Sequence, residues 1–337
     1  MDATYLGVRY PGRAAQHGHV ESYFVKANDP KSRRALWLKS TIYASDRDPR
    51  AAVAEAWAIA FDGDAHGHVA VKSTVPFERA RFGRRGLDVE VDACVLTKAS
   101  ARGALETAER KVEWDLRFES RGAPLIHFPR ASMYEGPFPT SKLVSPMPDL
   151  RVSGDVVVNG ERWTLDAWPG LLGHNWGRRH AFLYGWGHCN VWGPADGTHD
   201  PTEDLVLEGV SARVKVGPVL APMTTLLCVR YRGVRYDLNS IADLVRSSGS
   251  VSVRRWHFRG GNSLCKIDGE LWGETDDFVG LHYENPDGTL CYCLNTKIAS
   301  ARIELTVRGR APLFLYSRAA ALEIGTQDPA HGVRMYV

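Results

Sequence analysis

Several features that mark large protein classes are missing from this sequence of 337 residues. No apolar run approaches the roughly 18 residues that a membrane-spanning helix needs. The start of the chain is polar and lacks the pattern of a secretory leader. The six cysteines form no CxxC pair, which argues against a zinc site built from paired cysteines. We therefore expect a cytoplasmic protein with reduced thiols that does not insert stably into a membrane.

An excess of one charge is also absent. The 42 lysines and arginines are interleaved with 39 aspartates and glutamates, which leaves a formal net charge of +3. A nucleic-acid-binding surface usually has a much stronger basic bias. The sequence also lacks a phosphate-binding loop with its lysine and a G-x-S-x-G nucleophile elbow. Nucleic acid, nucleotides and acyl hydrolysis are therefore not expected, whereas a peripheral membrane contact and a homodimer are left open.

Long helical periods are scarce, and short segments with alternating apolar and polar residues recur instead. Residues 87–93 read Leu-Asp-Val-Glu-Val-Asp-Ala, and residues 111–118 repeat the pattern. Period-two alternation predicts half-buried strands, and many short strands separated by turns predict barrels or sandwiches. A short helix is expected within 239–247, and one or two helical turns within 47–56. The expected fold class is all-β.

A proline-rich segment separates two series of predicted strands. Residues 137–148 contain four prolines, and a proline lacks the N–H that a central strand donates. A chain of this length also exceeds what one hydrophobic core usually serves. We therefore place a domain boundary here, with a first domain at 1–145 and a second at 146–337. Downstream, the pair Asn159-Gly160 predicts a type I′ hairpin turn.

The most unusual stretch is a predicted strand at residues 180–192. Side chains alternate between the two faces of a strand, and here the large ones fall on one face and mostly small ones on the other. The large residues are His180, Phe182, Tyr184, Trp186, His188, Asn190 and Trp192. An aromatic face with hydrogen-bonding groups is suited to lining a ligand pocket. The alternative is an aromatic core packed against a facing sheet.

Three histidines near this strand raise the question of a metal site. His174, His180 and His188 are spaced by six and eight residues, which matches no common ligand motif. A buried histidine that orients a ligand or carries a proton fits the pattern better. We expect neither a metal ion nor another cofactor.

Several short motifs resemble one known group of proteins. Residues 173–177 read Gly-His-Asn-Trp-Gly, which we interpret as a turn, and residues 186–188 read Trp-Gly-His. Together with residues 21–30, 35–38 and 293–297, they resemble the lipocalin-pair superfamily. That group includes carotenoid 1,2-hydratases (hydroxyneurosporene synthases), tocopherol cyclases, AttH-like proteins and some fungal Diels–Alderases. The resemblance implies two lipocalin-like (calycin) antiparallel β-barrels in tandem, packed on each other, with an isoprenoid or polyketide-like ligand near their interface.

Hydration or cyclisation of an alkene requires a positioned acid, and an apolar pocket keeps a carboxylic acid protonated. Asp166 and Glu21 are the candidate acids, while His174 and His188 are candidates for proton transfer. A pericyclase-like cyclase would instead depend on shape, stacking and hydrogen-bond donors. The residues expected to bind substrate are Asn175, Trp176, His180, Tyr184, Trp186, Asn190, Trp192 and Trp37.

Two functions remain in competition at this point. The first is a cofactor-independent enzyme that hydrates, cyclises or isomerises a large apolar isoprenoid, polyene or polyketide-like substrate in an inter-barrel pocket. The second is a non-catalytic carrier or sensor of hydrophobic small molecules, which is the ordinary role of a lipocalin-type barrel. Both functions have a hydrophobic small molecule as the partner.

Overall fold

A computed structural model describes residues 5–195, 203–216 and 219–337. Almost all of its regular structure is antiparallel β-strand, arranged in two large sheets that curl into barrel-like shapes. The all-β prediction is therefore confirmed.

The first sheet is built by the amino-terminal half of the chain. The spatial order is β4-β3-β2-β1-β12-β11-β9-β8-β7-β6-β5, with β10 beside β11. The strands are β1 His19–Asn28, β2 Arg34–Ala44, β3 Val53–Asp62, β4 Val69–Pro76, β5 Ala80–Phe82, β6 Asp88–Val91, β7 Cys94–Thr97, β8 Ser100–Glu106, β9 Lys111–Ser120, β10 Leu125–Ile126, β11 Ser141–Val158 and β12 Glu161–Gly177. Strand β4 approaches β8 and β9, which brings the curled sheet towards closure.

The second sheet is built by the carboxy-terminal half. Its order is β19-β18-β15-β13-β25-β24-β22-β21-β20, with β14 beside β25 and β23 beside β24. The strands are β13 Leu183–Cys189, β14 Gly193–Pro194, β15 Leu205–Arg213, β18 Thr224–Tyr231, β19 Val234–Leu238, β20 Ser248–Ser252, β21 Arg255–Gly261, β22 Cys265–Trp272, β23 Val279–Glu284, β24 Leu290–Val307 and β25 Leu313–Thr326. Strands β16 Lys215–Val216 and β17 Val219–Leu220 form a separate hairpin.

Helices are short and few in the described part of the chain. They are α1 Ser132–Glu135, α2 Ile241–Arg246 and 3₁₀ turns at Gly12–Ala14, Phe77–Arg79 and Thr275–Asp277. The expected helix within 239–247 is confirmed, and a capping box between Ser240 and Asp243 starts it. The helical turns expected at 47–56 are wrong, because this segment is a loop that leads into β3. None of the described helices is long and apolar enough to cross a membrane.

The apolar side chains form three main clusters. One fills the first barrel, and a second fills the second barrel around Trp256 and Phe258. The third lies between the two sheets and includes Phe24, Trp37 and Trp186. The barrels therefore pack on each other through buried aromatic residues.

The hairpin between β11 and β12 forms as its sequence predicts. Asn159 and Gly160 both have positive φ, at 49° and 91°, and connect the paired residues Val158 and Glu161. These are the angles that a type I′ turn requires.

The two sheets divide at a different place from the boundary proposed after residue 145. Strand β11 runs through that position, and the first sheet continues to Gly177. Pro146 and Pro148 are accommodated because the register of β11 against β12 shifts on both sides of Met147. Pairing of β11 with β9 begins after them, at Leu150. The prolines thus sit at bulges within a central strand instead of in a linker.

The motif at residues 173–177 is also not a turn, because it forms the end of β12. Its glycines make room for close neighbours. A Cβ on Gly173 would lie 2.3 Å from the ring of Phe24, and one on Gly177 would lie 2.2 Å from the carbonyl oxygen of Thr140. The glycines are therefore explained by packing in a strand.

Candidate functional site

Strand β13 presents its large side chains to the first barrel. The ring of Trp186 meets the ring of Phe24 edge-on, with centroids 5.6 Å apart. His188 Nε2 lies 2.8 Å from the carbonyl oxygen of Pro148, and Asn190 Nδ2 donates to Asp149 Oδ1 at 2.9 Å. The opposite face of β13 packs into the second barrel, where Gly185 leaves room for Trp256. The alternation predicted from the sequence is thus directed at the barrel interface.

A group of polar and aromatic side chains meets Trp186 in this interface. We call it the inter-barrel site and define it as Lys39, His180, Tyr184, Trp186, Tyr283, Lys297 and Glu323. Lys297 Nζ donates to Glu323 Oε1 at 2.7 Å and lies 5.4 Å from the ring centroid of Trp186. Lys39 Nζ lies 3.8 Å from the ring centroid of Tyr283. Residues from β2, β13, β23, β24 and β25 therefore converge between the barrels.

His180 is held in a defined orientation at one edge of this site. Its backbone N–H donates to Asn285 Oδ1 at 2.7 Å, and its ring Nδ1 lies 3.0 Å from the same oxygen. Because an amide oxygen can only accept, Nδ1 carries the ring hydrogen and Nε2 keeps its lone pair. The imidazole stacks on Tyr283 at 4.9 Å. Burial, followed by the charge of Lys39, lowers the pKa of His180 to about 4, so the ring is neutral at pH 7.

Tyr184 lies over a glycine of the neighbouring strand. It pairs with Gly325 in the β13–β25 register, and a Cβ on Gly325 would lie 1.8 Å from its ring. Burial raises the pKa of Tyr184 well above its usual value, so its hydroxyl keeps its proton. His180, Tyr184 and Glu323 all retain partial solvent exposure, and the Glu323 side chain is 13% exposed. Solvent therefore reaches this edge of the inter-barrel site.

A second buried carboxylate lies on the other side of Trp186. Glu208 Oε1 accepts from Ser145 Oγ at 2.8 Å and from Trp186 Nε1 at 3.1 Å. His127 Nε2 lies 3.5 Å from the same oxygen. Within the described residues, Glu208 Oε2 and His188 Nδ1 have no hydrogen-bond partner. Burial, followed by the charge of Lys26, lowers the pKa of His188 to about 3, so this predicted catalytic histidine is a neutral interface residue.

Glu21 is not the protonated acid that the sequence argument expected. Its carboxylate accepts from the backbone N–H groups of Arg9 and Tyr10 at 2.8 Å, and from His174 Nε2 at 2.9 Å. Burial alone would raise its pKa, but hydrogen bonds from His174 and His19 lower the pKa to about 2. Donors to the ionised form outweigh desolvation, so Glu21 is a carboxylate at neutral pH.

His174 and Trp176 accompany Glu21 in the first barrel. His174 stacks on Tyr23 at 4.1 Å, and its Nδ1 lies 3.0 Å from the carbonyl oxygen of Tyr5. Arg9 lies over the ring of Trp176 at 5.0 Å. Both ring nitrogens of His174 therefore lie within hydrogen-bond distance of an oxygen atom, one of them on Glu21. These predicted site residues form a network separate from the inter-barrel site.

Three other predicted site residues are placed as follows. Asp166 is exposed on the outer part of β12. Trp192 is fully buried in the core of the second barrel, because the alternation of β13 ends at Cys189. Asn175 is partly exposed and pairs with Ser22 of β1. Neither Asp166 nor Trp192 therefore lies in the inter-barrel site.

Trp37 lies between the two barrels. It belongs to the inter-barrel cluster, between Lys39 Nζ at 5.6 Å and Lys297 Nζ at 5.2 Å from its ring centroid. Its Nε1 has no hydrogen-bond partner among the described residues. The role of Trp37 in binding stays a prediction.

Two open spaces in the described part of the chain lie away from these rings. One, of about 150 Å³, opens between the barrels near Arg33 and Tyr316. The other, of about 630 Å³, lies on the second barrel near Arg246 and Lys266. The rings of the inter-barrel site instead pack against neighbouring rings. A ligand would therefore have to enter from the exposed edge and push these rings apart.

The sequence argument missed the charged residues of the site. Lys297 lies in the motif at residues 293–297 without being singled out there, and no sequence pattern singled out Lys39 or Glu323. A signal was available, because Lys39 follows Trp37 and Lys26 follows Phe24 by two residues, on the same face of a strand. Such a lysine beside an aromatic residue can be solvated or buried, and the sequence does not distinguish the two.

All six cysteines are free and buried, as expected for a protein with reduced thiols. Cys291 and Cys293 belong to the apolar cluster between the two sheets. Among the described residues, no group of three or more histidines, cysteines or carboxylates is placed to hold a metal ion.

Comparison of the sequence with known proteins finds two relatives in Mycobacterium tuberculosis. The uncharacterised proteins MT0513 of strain CDC 1551 / Oshkosh and Rv0493c of strain H37Rv are each 28% identical to the chain over 327 residues. The match covers 92% of this chain and 90% of each relative. No family model matches the sequence.

Solved structures share the fold. An AttH-like protein, NE1406, of Nitrosomonas europaea has a TM-score of 0.56 at 14% identity, over 94% of this chain and 96% of that protein. Kievitone hydratase of Nectria haematococca has a TM-score of 0.56 at 10% identity, over 96% and 93%. These likenesses concern the fold, and they confirm the paired barrel architecture. The relation to carotenoid hydratases and tocopherol cyclases stays a prediction.

Proposed function

We propose that this protein is a cofactor-independent enzyme of the hydratase, cyclase or isomerase type. Its substrate is a large apolar molecule of the isoprenoid, polyene or polyketide-like class, bound in the inter-barrel site. One protein with the same fold is a hydratase, which supports this class of reaction. The specific evidence, however, comes from the residues of this chain.

The observation that carries the proposal is the state of His180. It has a fixed tautomer, a free lone pair on Nε2, partial exposure and an aromatic surface beside it. A positioned neutral imidazole can take a proton from a substrate or from water. The resulting imidazolium has a pKa of about 4 and is therefore a better proton donor than an ordinary histidine. It can return the proton to a carbon atom, so one residue both removes and supplies the proton.

The surrounding residues have supporting roles. Trp37, Trp186 and Tyr283 offer apolar faces, and aromatic faces stabilise a nearby cation by about 0.5–2 kcal/mol each. Tyr184, which keeps its proton, can donate a hydrogen bond. In an isomerisation or cyclisation, the proton that His180 removes is returned at another atom. In a hydration, His180 accepts a proton from water as the C–O bond forms, the electron pair of the C=C bond moves to the neighbouring carbon atom, and the imidazolium then delivers the same proton to that carbon.

The test uses purified protein and a panel of prenylated phenols and polyenes in D₂O. Mass spectrometry should detect a product with the mass of the substrate plus water, or an isomer, that contains deuterium from solvent. The His180→Gln variant should lower the rate by about 100-fold or more, because it removes the proton carrier. The matched control is His257→Gln, at an exposed histidine on the second barrel, which should keep the rate within about twofold.

Two results would contradict the proposal. One is full activity in the His180→Gln variant. The other is recovery of a single unchanged lipid from the purified protein by solvent extraction, with no turnover of any compound in the panel. The second result would favour the carrier function instead.

A further inference from the structure

Lys39 differs from the other buried lysines of the interface. Lys26 Nζ donates to Asn28 Oδ1 at 2.7 Å, and Lys297 Nζ donates to Glu323 Oε1 at 2.7 Å. Among the described residues, the contacts of Lys39 Nζ are with aromatic rings, and it forms no hydrogen bond or ion pair. Yet the residue is only 6% exposed. The Lys39 side chain is thus largely buried, and its ammonium group has no hydrogen-bonding anion among the described residues.

Aromatic rings surround this ammonium group. The ring centroids of Tyr283, Trp57 and Trp37 lie 3.8, 5.5 and 5.6 Å from Lys39 Nζ. Cation–π contacts of this kind contribute about 0.5–2 kcal/mol each. They offset part of the several kcal/mol that burying one ion costs. Burial lowers the pKa of Lys39 to about 8, so the group still carries its charge at pH 7.

The nearby carboxylates already have partners. Glu323 accepts from Lys297, and Glu55 accepts from Lys72 Nζ at 3.0 Å and from Trp57 Nε1 at 3.2 Å. His180, which stacks on the same Tyr283, is neutral. The inter-barrel site therefore has one uncompensated positive charge on a mostly apolar wall. A ligand with a negative charge at this point would compensate it.

We propose that Lys39 binds an acidic oxygen of the substrate, so that the substrate class is an apolar aromatic or conjugated molecule with a carboxylate, phenolate or enolate group. This inference rests on the proposed function, because it concerns the same inter-barrel site. The aromatic rings contact the apolar part of the substrate, and the ammonium group of Lys39 binds its acidic oxygen. For an enolate or phenolate, the charge of Lys39 would also stabilise the negative charge that forms when His180 removes a proton.

The test compares two planar probes that differ in charge, 2-naphthoate and 2-naphthamide, by isothermal titration calorimetry at pH 7. The wild-type protein should bind the naphthoate about 10- to 100-fold more tightly than the naphthamide. Lys39→Met should abolish this preference and keep the naphthamide affinity within about twofold. The matched control is Lys72→Met, which removes a cation near the same Trp57 that is paired with Glu55. It should keep the preference.

A pH series tests the same point if Lys39→Met does not fold. The wild-type preference should fall as the pH rises through about 8, because Lys39 loses its charge. Lys39→Arg should retain the preference up to pH 10, since arginine stays charged. The other charged or titratable groups around Lys39 are Glu55, Lys72, His180, Tyr283, Cys293 and Glu323.

The outcomes separate the two proposals. If both probes bind equally and Lys39→Met changes neither affinity, the acidic-oxygen inference is overturned while the proposed function stands. A preference that persists unchanged to pH 10 in the wild type would also overturn it. If neither probe binds, the inter-barrel binding site itself is refuted, and both proposals fail.

Discussion

At the scale of single residues, the burial of a side chain decides its role more than the residue type does. Glu21 and Asp166 are both carboxylates near the motif at residues 173–177, Glu21 in space and Asp166 along the chain. Glu21 is fully buried and receives several hydrogen bonds, whereas Asp166 is exposed. Glu21 is therefore a structural anion of the first barrel, and its contribution should be visible as a pH dependence of stability.

The Glu21→Gln variant tests this role. The folded-state pKa of about 2 lies below the ordinary value of 4.5, so the unfolded chain binds more protons between these values. Stability from Glu21 is thus present above pH 4.5 and is lost as the pH falls towards 2. The difference corresponds to about 3 kcal/mol at pH 7. Urea unfolding should show the variant less stable by about this amount at pH 7, with a smaller difference at pH 3.

The control for this prediction is Glu90→Gln. Glu90 forms an exposed ion pair with Arg81, and such pairs contribute about 0–1 kcal/mol. A stability loss in Glu21→Gln that is the same at pH 3 and pH 7 would show that the carboxylate charge is not what stabilises the barrel.

At the scale of elements, the pairing of β13 with β25 places the aromatic face of the site. Tyr184 lies over Gly325, and the two strands are in register from Tyr184 to His188. The strand shows the expected alternation over a shorter length than predicted, since it ends at Cys189. The Tyr184 ring lies against the backbone of Gly325, where the Cβ of any other residue would overlap it.

Gly325→Ala tests the fit between these strands. The added Cβ would overlap the ring of Tyr184, so we expect a loss of about 1–3 kcal/mol of unfolding free energy. Combining it with Tyr184→Ala should reduce the penalty, which a double-mutant cycle would measure. Gly86→Ala is the control, because nothing lies within 4 Å of a Cβ at that position. An equal loss for both glycines would contradict the proposed fit.

At the scale of the whole molecule, the two barrels share one buried interface. Arg230 of β18 donates to Asp149 Oδ2 of β11, and the apolar cluster around Trp186 draws residues from both sheets. The chain passes from one sheet to the other between Gly177 and Leu183. Its natural division is therefore there, and not after residue 145.

Split proteins can test this division. Tagged residues 1–180 co-expressed with residues 181–337 should co-purify and give the near-ultraviolet circular dichroism of the intact protein. Residues 1–145 with 146–337 should not, because that cut falls within β11 and separates most of β11 and all of β12 from their sheet. Equal reassembly of both pairs would contradict the assignment of these strands to the first barrel.

The sequence by itself determined the local structure of this protein. The alternation at residues 87–93 and 111–118 specifies strands, because a strand places successive side chains on opposite faces. Asn159-Gly160 specifies a tight hairpin, since both residues adopt positive φ readily. The large even positions of β13 specify one aromatic face. These features depend on neighbouring residues, so they can be read without knowledge of the fold.

Only the tertiary structure decided which of these faces became a site. Lys39, His180 and Glu323 are far apart in the chain, and they lie close together because two separate sheets pack on each other. The burial of Lys39 and the ionisation of Glu21 depend on groups that distant strands bring into contact. Charge and hydrogen bonding act over a few ångströms in space, whatever the separation along the chain, which is why sequence order could not assign these roles.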